Sequence, residues 1–241
     1  MNTVLALRLA GPLQSWGATS RFTRRTTESA PTKSGVIGLL AAAAGIERGD
    51  DTALAPLAAL RFGVRIDQPG TRIRDFQTAH HAVTGKSMPL SERFYLADAV
   101  FVAAIEGDNT LLAALHAALK APVYTPFLGR RSCPPAQPVE LGLYPHTHLE
   151  QVLKDVPWQA SPWYRKQHRP QHEQSLTVLR EAPPGNQHTA ADTLRDQPLS
   201  FAATHRRHAL RTLITTTVTL PSAPPDPVRH DPFEALEDES S

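Results

Sequence analysis

The stretch that decides the fold is Pro31-Thr32-Lys33-Ser34-Gly35-Val36-Ile37-Gly38-Leu39-Leu40-Ala41-Ala42-Ala43-Ala44-Gly45. A proline and a hydroxyl residue leading into an unbroken run of small and apolar residues, closed by glycine, is the pattern of a helix with Thr32 as N-cap and Gly45 as its stop. Gly35, Gly38 and the four alanines leave little bulk on most sides, so this helix can lie close to a sheet. Upstream, Leu5, Leu7 and Leu9 alternate with Ala6 and Arg8 until Gly11-Pro12. Downstream, Leu60, Phe62, Val64 and Ile66 alternate with Arg61, Gly63, Arg65 and Asp67. Both are strands with one covered face.

Residues 68–93 are polar, rich in Arg and His, and carry no sustained apolar period. So long a segment inside a compact domain is often functional, and it reads as a long excursion or a projecting hairpin. Phe94 to Ile105 reads as one further strand. Asn109 or Thr110 can cap the helix over residues 111–120, and Val139 to Leu143 completes a βαββαβ order, hence an α+β, ferredoxin-like (RRM-like) half. Beyond Tyr144 the pattern weakens. Residues 145–172 contain Trp158 and Trp163 without helix or strand periodicity, whereas Ser175 to Leu179 and the threonine-rich Leu210 to Leu220 are strand candidates. The expected division is 1–144, a smaller β-rich part over 145–220, and a disordered acidic tail over 221–241.

The formal charge is only +2, but residues 226–241 hold six acids against one arginine. Residues 1–225 therefore carry 24 cationic against 17 anionic side chains, a net +7. A basic body permits a phosphate-backbone partner without demanding one. The single cysteine, Cys133, excludes an internal disulfide framework and reads as a small buried hydrophobe in a reducing compartment. The apolar run Val4 to Ala10 is too short for a signal-peptide core or a membrane span, so the expected localisation is cytoplasmic.

Two arginine-bearing segments stand out. Arg21, Arg24, Arg25 and Lys33 bracket a turn and a helix N-terminus, where phosphates could meet cations and unpaired N–H groups; a solvated basic loop is the plain alternative. In Tyr124-Thr125-Pro126-Phe127-Leu128-Gly129-Arg130-Arg131-Ser132, glycine lets the chain approach a ligand and adjacent arginines can grip neighbouring phosphates. In the middle excursion Arg72, Arg74, His80, His81, Lys86 and Arg93 could follow a single strand. Trp16 and Phe76 could stack on splayed bases, although fifteen aromatics must also serve the core. The consensus of ordinary RNA-recognition sheets is absent. His146-x-His148 and His168-x3-His172 lack any metal-site context, so no metal or cofactor is expected. Tyr95, Tyr124, His80, His81 and Lys86 could supply a metal-independent ribonuclease, but nothing in their spacing singles out a set.

Residues 7–17 (LRLAGPLQSWG), 31–40 (PTKSGVIGLL) and 124–134 (YTPFLGRRSCP) resemble, in order, the Cas five family of CRISPR-associated proteins in its type I-E Cascade branch. Arg74-Asp75-Phe76-Gln77-Thr78 and Arg93-Phe94-Tyr95-Leu96-Ala97-Asp98-Ala99 also resemble family motifs, with a weaker echo at Gln197 to Arg207. The resemblance implies the repeat-associated mysterious protein (RAMP) fold: a ferredoxin-like domain with a β-hairpin thumb around 68–93, plus a small C-terminal β domain. It implies a non-catalytic subunit of the Cascade surveillance complex that caps the 5′ handle of the crRNA. Its partners would be the crRNA, the backbone subunit and the large subunit, with target DNA met only through the complex and no membrane. Relatives elsewhere cleave repeat RNA, which leaves a metal-independent endoribonuclease as the rival. Gln77 stands where close relatives carry histidine and argues against catalysis at that point. The implied RNA-binding residues are Gln14, Trp16, Arg21, Arg24, Arg25, Lys33, Ser34, Arg72, Arg74, Arg93, Arg130, Arg131, Arg206 and Arg207. Lys33 and Arg21, Arg24 and Arg25 would position the handle backbone, Arg130 and Arg131 would grip phosphates, and Trp16 would pack beneath them or stack on a base.

Overall fold

The computed structural model describes residues 2–17, 24–168, 173–181 and 192–221. Arg21, His172 and nearly all of the acidic tail lie outside the described residues. The elements are β1 (Asn2–Ala10), β2 (Leu13–Gln14), β3 (Arg24–Arg25), α1 (Lys33–Ala43), α2 (Asp51–Ala58), β4 (Arg61–Gln68), β5 (Thr71–Gln77), β6 (Ser91–Ala97), β7 (Val100–Asp108), α3 (Asn109–Lys120), β8 (Glu140–Pro145), α4 (Leu149–Asp155), α5 (Pro162–Gln167), β9 (Glu173–Arg180), β10 (Asp192–Ser200) and β11 (Arg207–Pro221).

The main sheet runs in the order β8-β1-β7-β4-β9-β11-β10. Every pairing in it is antiparallel. Its first four strands come in the chain as β1, β4, β7 and β8 with α1 before β4 and α3 before β8, the expected βαββαβ order once the inserted β2, β3, α2, β5 and β6 are set aside. The C-terminal strands do not stand apart from them, because Gly63, Val64 and Arg65 of β4 pair with Arg180, Leu179 and Val178 of β9.

The alternation in β1 led to an expectation of one covered face, but Val4 and Ala6 are as buried as Leu5, Leu7 and Leu9. Leu5, Leu7, Leu9, Phe62, Phe101 and Ile105 pack against α1 and α3. Val4, Ala6, Val102, Ala104 and Val178 pack against Leu149, Val152 and Leu153 of α4. Seven residues are too few for α4 to show a helical period, which is why residues 145–172 read as irregular. Arg65 fixes the end of α4: its guanidinium donates to the carbonyls of Leu153, Val156 and Pro157 and pairs with Asp67. Burial pushes the Asp67 carboxyl above its ordinary pKa despite the hydrogen bonds from Arg65.

The start of α4 rests on Glu106, which accepts from Asn2, Arg61 and the Leu149 N–H and lies 3.0 Å from His148 Nδ1. Burial alone would raise the Glu106 pKa, but the hydrogen bonds from His148, Leu149, Arg61 and Asn2 outweigh it and hold the carboxyl below 4.5. A folded-state value below the unfolded one gives stability that is complete above the ordinary carboxylate range and is lost as pH falls through the folded value. Glu106→Gln is therefore expected to cost about 2 kcal/mol at pH 7 and to flatten the acid limb of stability. Urea midpoints from pH 3 to 7 for both proteins check this; parallel curves would refute it.

Three expectations need correction. Phe94 to Ile105 is two strands, divided where Asp98 takes a positive φ of 54° and the chain passes from one sheet to the other. The cap of α3 is Asp108, whose side chain accepts from the Leu111 N–H, rather than Asn109 or Thr110. Helix α2 and strand β10 were not foreseen. Thr32 does cap α1, accepting from the Gly35 N–H, and Gly45 follows with φ of 76°.

Candidate nucleic-acid interface

A second, smaller sheet is built around β6, which pairs with β5 along its length and with β2 and β3 on its other edge. β5 and β6 form a projecting hairpin whose outer half is exposed, with His80 bridged to Ser87 near its tip. This is the hairpin alternative for residues 68–93. Ile73, Phe76, Val83, Met88 and Leu90 are exposed along it.

Between the N-terminal turns of α1, the start of α2, the segment Tyr124 to Pro134 and the β10–β11 connection lies a cleft of about 830 Å³. Its walls include Trp16, Ser34, Gly38, Tyr124, Phe127, Arg131, Phe201, Arg206 and His208. Both sequence motifs, 31–40 and 124–134, and the weaker echo near Arg206 thus meet in one place. Phe201 falls within that echo, whereas His208 and Arg48, which also line the cleft, were missed, because nothing local in sequence marks a residue that reaches the cleft only through the docking of distant elements.

The wall at Tyr124 to Pro134 is held by backbone bonds. The Ser15 N–H donates to Leu128, the Leu128 N–H to Cys133, and the Cys133 N–H to Arg130. Gly129 sits at φ of 82° and so close that a Cβ would lie 1.8 Å from the Ser15 carbonyl oxygen. Cys133 is buried, and burial raises its thiol pKa, which fits the packing role expected of it.

The two adjacent arginines diverge. Arg131 lines the cleft. Arg130 instead stands 4.9 Å over the Tyr95 ring and donates to the Arg25 carbonyl at 2.9 Å. It stands beside Arg25, whose strand β3 pairs with Glu92 and Arg93 of β6, while Arg72 and Arg74 lie on β5 across that strand. There Arg72 donates to the Thr27 carbonyl, and Arg74 lies over Phe76 and pairs with Glu92, as does Arg24. Among the described residues, Arg93 Nε and Arg130 Nη1 are enclosed without a hydrogen-bond partner.

Burial overturns two site expectations, for Lys33 and Gln14, and decides between the two alternatives for Trp16. Lys33 is 3% exposed and its ammonium is ion-paired with Glu181 at 2.9 Å, so it is not presented to a phosphate. Burial lowers its pKa, opposed by Glu181. Gln14 is fully buried, donating to the carbonyls of Leu9 and Ala99. Trp16 has no exposed surface and donates to Gln14, so it packs beneath the cleft and cannot stack on a base. The exposed ring on that wall is Tyr124. Ser34 lines the cleft, as does Arg206, while Arg207 turns to Asp51 at 3.5 Å.

Acids share the cleft, but they gather at one end. Glu47 precedes α2, Asp50 caps it and Asp51 pairs with Arg207, the neighbour of Arg206, while Arg131 stands on the Tyr124 to Pro134 wall. The His208 imidazole is held below its ordinary 6.5 by burial and then by the charge of Arg206, so at neutral pH it adds little cation to the cleft.

The ribonuclease candidates are scattered. Tyr95 is buried beneath Arg130, Tyr124 lies in the cleft, and His80, His81 and Lys86 sit near the hairpin tip. Among the described residues none of these side chains bonds to another, and no group of three metal-ligating side chains occurs.

The family model described as CRISPR-associated protein (Cas_Cas5) matches residues 4–214. The CRISPR system Cascade subunit CasD of Escherichia coli (strain K12) is 36% identical over 160 residues, covering 59% of this chain and 71% of the relative. A crystal structure of a Cas protein superposes with a TM-score of 0.67 at 36% identity, over 92% of this chain and all of the other. A chain of a CRISPR RNA-guided surveillance complex gives 0.68 at 31% identity, covering 90% of this chain and 91% of its own.

Proposed function

This chain belongs to the Cas5 family of CRISPR-associated proteins, and on that premise we propose that it is a non-catalytic, cytoplasmic subunit of a type I-E Cascade complex that holds the 5′ handle of the crRNA. The carrying observation is the cleft itself, where two motifs some ninety residues apart converge with Arg131, Arg206 and the open ring of Tyr124. A handle held there would set phosphates on the arginines and a splayed base on Tyr124, the usual way in which single-stranded RNA is gripped. The enclosed, unpartnered nitrogens of Arg93 and Arg130 are donors that a phosphate at the hairpin root would satisfy.

In this reading the β8-β1-β7-β4 strands with α1 and α3 are a ferredoxin-like RAMP domain, a reading supported by their βαββαβ order in the chain. The β5–β6 hairpin is its thumb. Residues 1–144 form this domain and 145–220 the smaller C-terminal part. The backbone and large subunits of the complex would dock on the outer surfaces, the thumb with its exposed apolar side chains among them. No helix of the described residues is long and apolar enough to cross a membrane.

Arg131→Ala and Arg206→Ala are each expected to weaken binding of a handle-sequence RNA about tenfold and to reduce the salt slope by about 0.7 per lost phosphate contact. Fluorescence anisotropy from 50 to 300 mM salt measures both. Unchanged affinity and slope in the double variant would remove the cleft from consideration. Incubating the RNA with the chain in EDTA and reading a denaturing gel tests catalysis: defined cleavage would establish the nuclease instead.

A further inference from the structure

We infer that α5 and its approach form a second contact for single-stranded RNA, outside the cleft and continuous with the hairpin root. The inference rests on the RNA-binding reading of the cleft and extends the path of the strand beyond it.

Residues 157–168 contain no acid, yet hold Arg165, Lys166 and His168 together with Trp158, Trp163 and Tyr164. None of the α5 residues is buried, and Trp163 is 56% exposed. The rings are nevertheless ordered among themselves. Tyr164 and His168 are stacked with centroids 3.9 Å apart and planes 19° from parallel. Trp163 meets Tyr164 edge-on at 5.6 Å, and Trp158 does so at 6.2 Å. Aromatic side chains recruited for folding would be buried in the core, whereas Trp163 is exposed, Trp158 and Tyr164 are only half-buried, and Arg165 and Lys166 follow Trp163 and Tyr164 in the same short helix.

The platform is fastened at one place. The Ser161 N–H and hydroxyl both donate to Gln68 Oε1, at 3.1 and 2.8 Å, and Trp158 Nε1 donates to the Asp67 carbonyl at 2.9 Å. Gln68 ends β4, and the hairpin begins at Thr71. The aromatic and cationic ledge therefore stands beside the hairpin root, where Arg72 of β5 lies opposite Leu96 of β6. Cations in a stretch that carries no acid of its own complement phosphates, and the exposed Trp163 ring complements an unstacked base. An acidic protein would use the cations but leave the ring faces unexplained, so the occupant is the RNA strand that runs off the hairpin.

The test compares a handle-length RNA with the same RNA carrying ten uridines at its 5′ or 3′ end, each titrated against the full chain. Extension at one end is expected to tighten binding about tenfold. The triple variant Trp163→Ala, Arg165→Ala, Lys166→Ala should lose that gain while keeping the affinity for the short RNA, and Trp163→Phe alone should retain it. Because α5 buries nothing, both variants are expected to fold, which circular dichroism checks. Absence of a gain in the unmodified chain, or a gain that survives in the triple variant, overturns the inference. So does a platform that binds polyglutamate in preference to the uridine tail. Failure of the short RNA to bind would instead overturn the cleft, and Arg131→Ala should weaken both RNAs equally, leaving their ratio unchanged.

Discussion

Replacing Asp196 by alanine is expected to destabilise the chain by about 3–5 kcal/mol, the range for removing one partner of a buried ion pair. Asp196 has no exposed surface. Its carboxylate accepts two bonds from Arg211, at 2.8 and 2.7 Å, and a third from the Lys33 N–H at 2.7 Å. The last of these makes it a cap for the first turn of α1 supplied from a strand 163 positions away, where the positive end of the helix dipole favours a carboxylate. The β10–β11 register shifts between Leu194 and Gln197, so Asp196 lies at an irregularity of the kind that re-aims a side chain. Removing the carboxylate leaves the Arg211 guanidinium only its longer 3.5 Å contact with Glu181, which it then has to share with the Lys33 ammonium. Urea unfolding measures the loss. Pairing Asp196→Ala with Arg211→Met should recover part of it, because a buried cation without its partner is the costly element. Equal losses in the single and double variants would show that the pair is not the source. Since β10 and β11 carry Phe201, Arg206 and His208 into the cleft, the single variant should also weaken handle RNA.

This network explains what was legible in the sequence and what was not. Strand and helix periods depend on neighbours within a few residues, so β1, α1, β4 and α3 could be read directly, and Thr32 and Gly45 marked the ends of α1 with side-chain chemistry. Lys33 was misread for the same reason. A lysine at a helix start beside arginines looks like a phosphate ligand until Glu181 arrives from the far end of the chain and buries it. Trp16 next to Gly17 resembled a stacking residue because no local pattern announces that Gln14 and Thr27 hold its two N–H groups. The hairpin was half legible: its polarity excluded a core element, but only the positive φ at Asp98 shows where Phe94 to Ile105 divides. For the cleft, the motifs identified two walls correctly, whereas the start of α2 and the β10–β11 connection, with no strong periodicity of their own, supplied the others.

Gly129→Ala is expected to be the most damaging single-atom change at the cleft, costing about 3–4 kcal/mol and lowering handle-RNA affinity more than about tenfold. Two effects combine. A residue with a Cβ at φ of 82° is strained by about 1–2 kcal/mol, and here that Cβ would sit 1.8 Å from the Ser15 carbonyl oxygen and 2.7 Å from its carbon. Backbone cannot rotate away as a side-chain tip can, so the 128–133 turn has to withdraw, weakening the Ser15 to Leu128 hydrogen bond. Withdrawal carries Arg130 off Tyr95 and Arg131 off the cleft wall together, which is why affinity should fall further than for either arginine variant alone. Gly85→Ala is the matched control: φ is 65° there too, but nothing lies within 4 Å of the added Cβ. It should show the strain alone, about 1–2 kcal/mol, with handle affinity unchanged. If the two alanine variants lose equal stability and bind RNA alike, the close approach at Ser15 does not set the cleft wall, and Arg131 would have to be positioned by the rest of its loop.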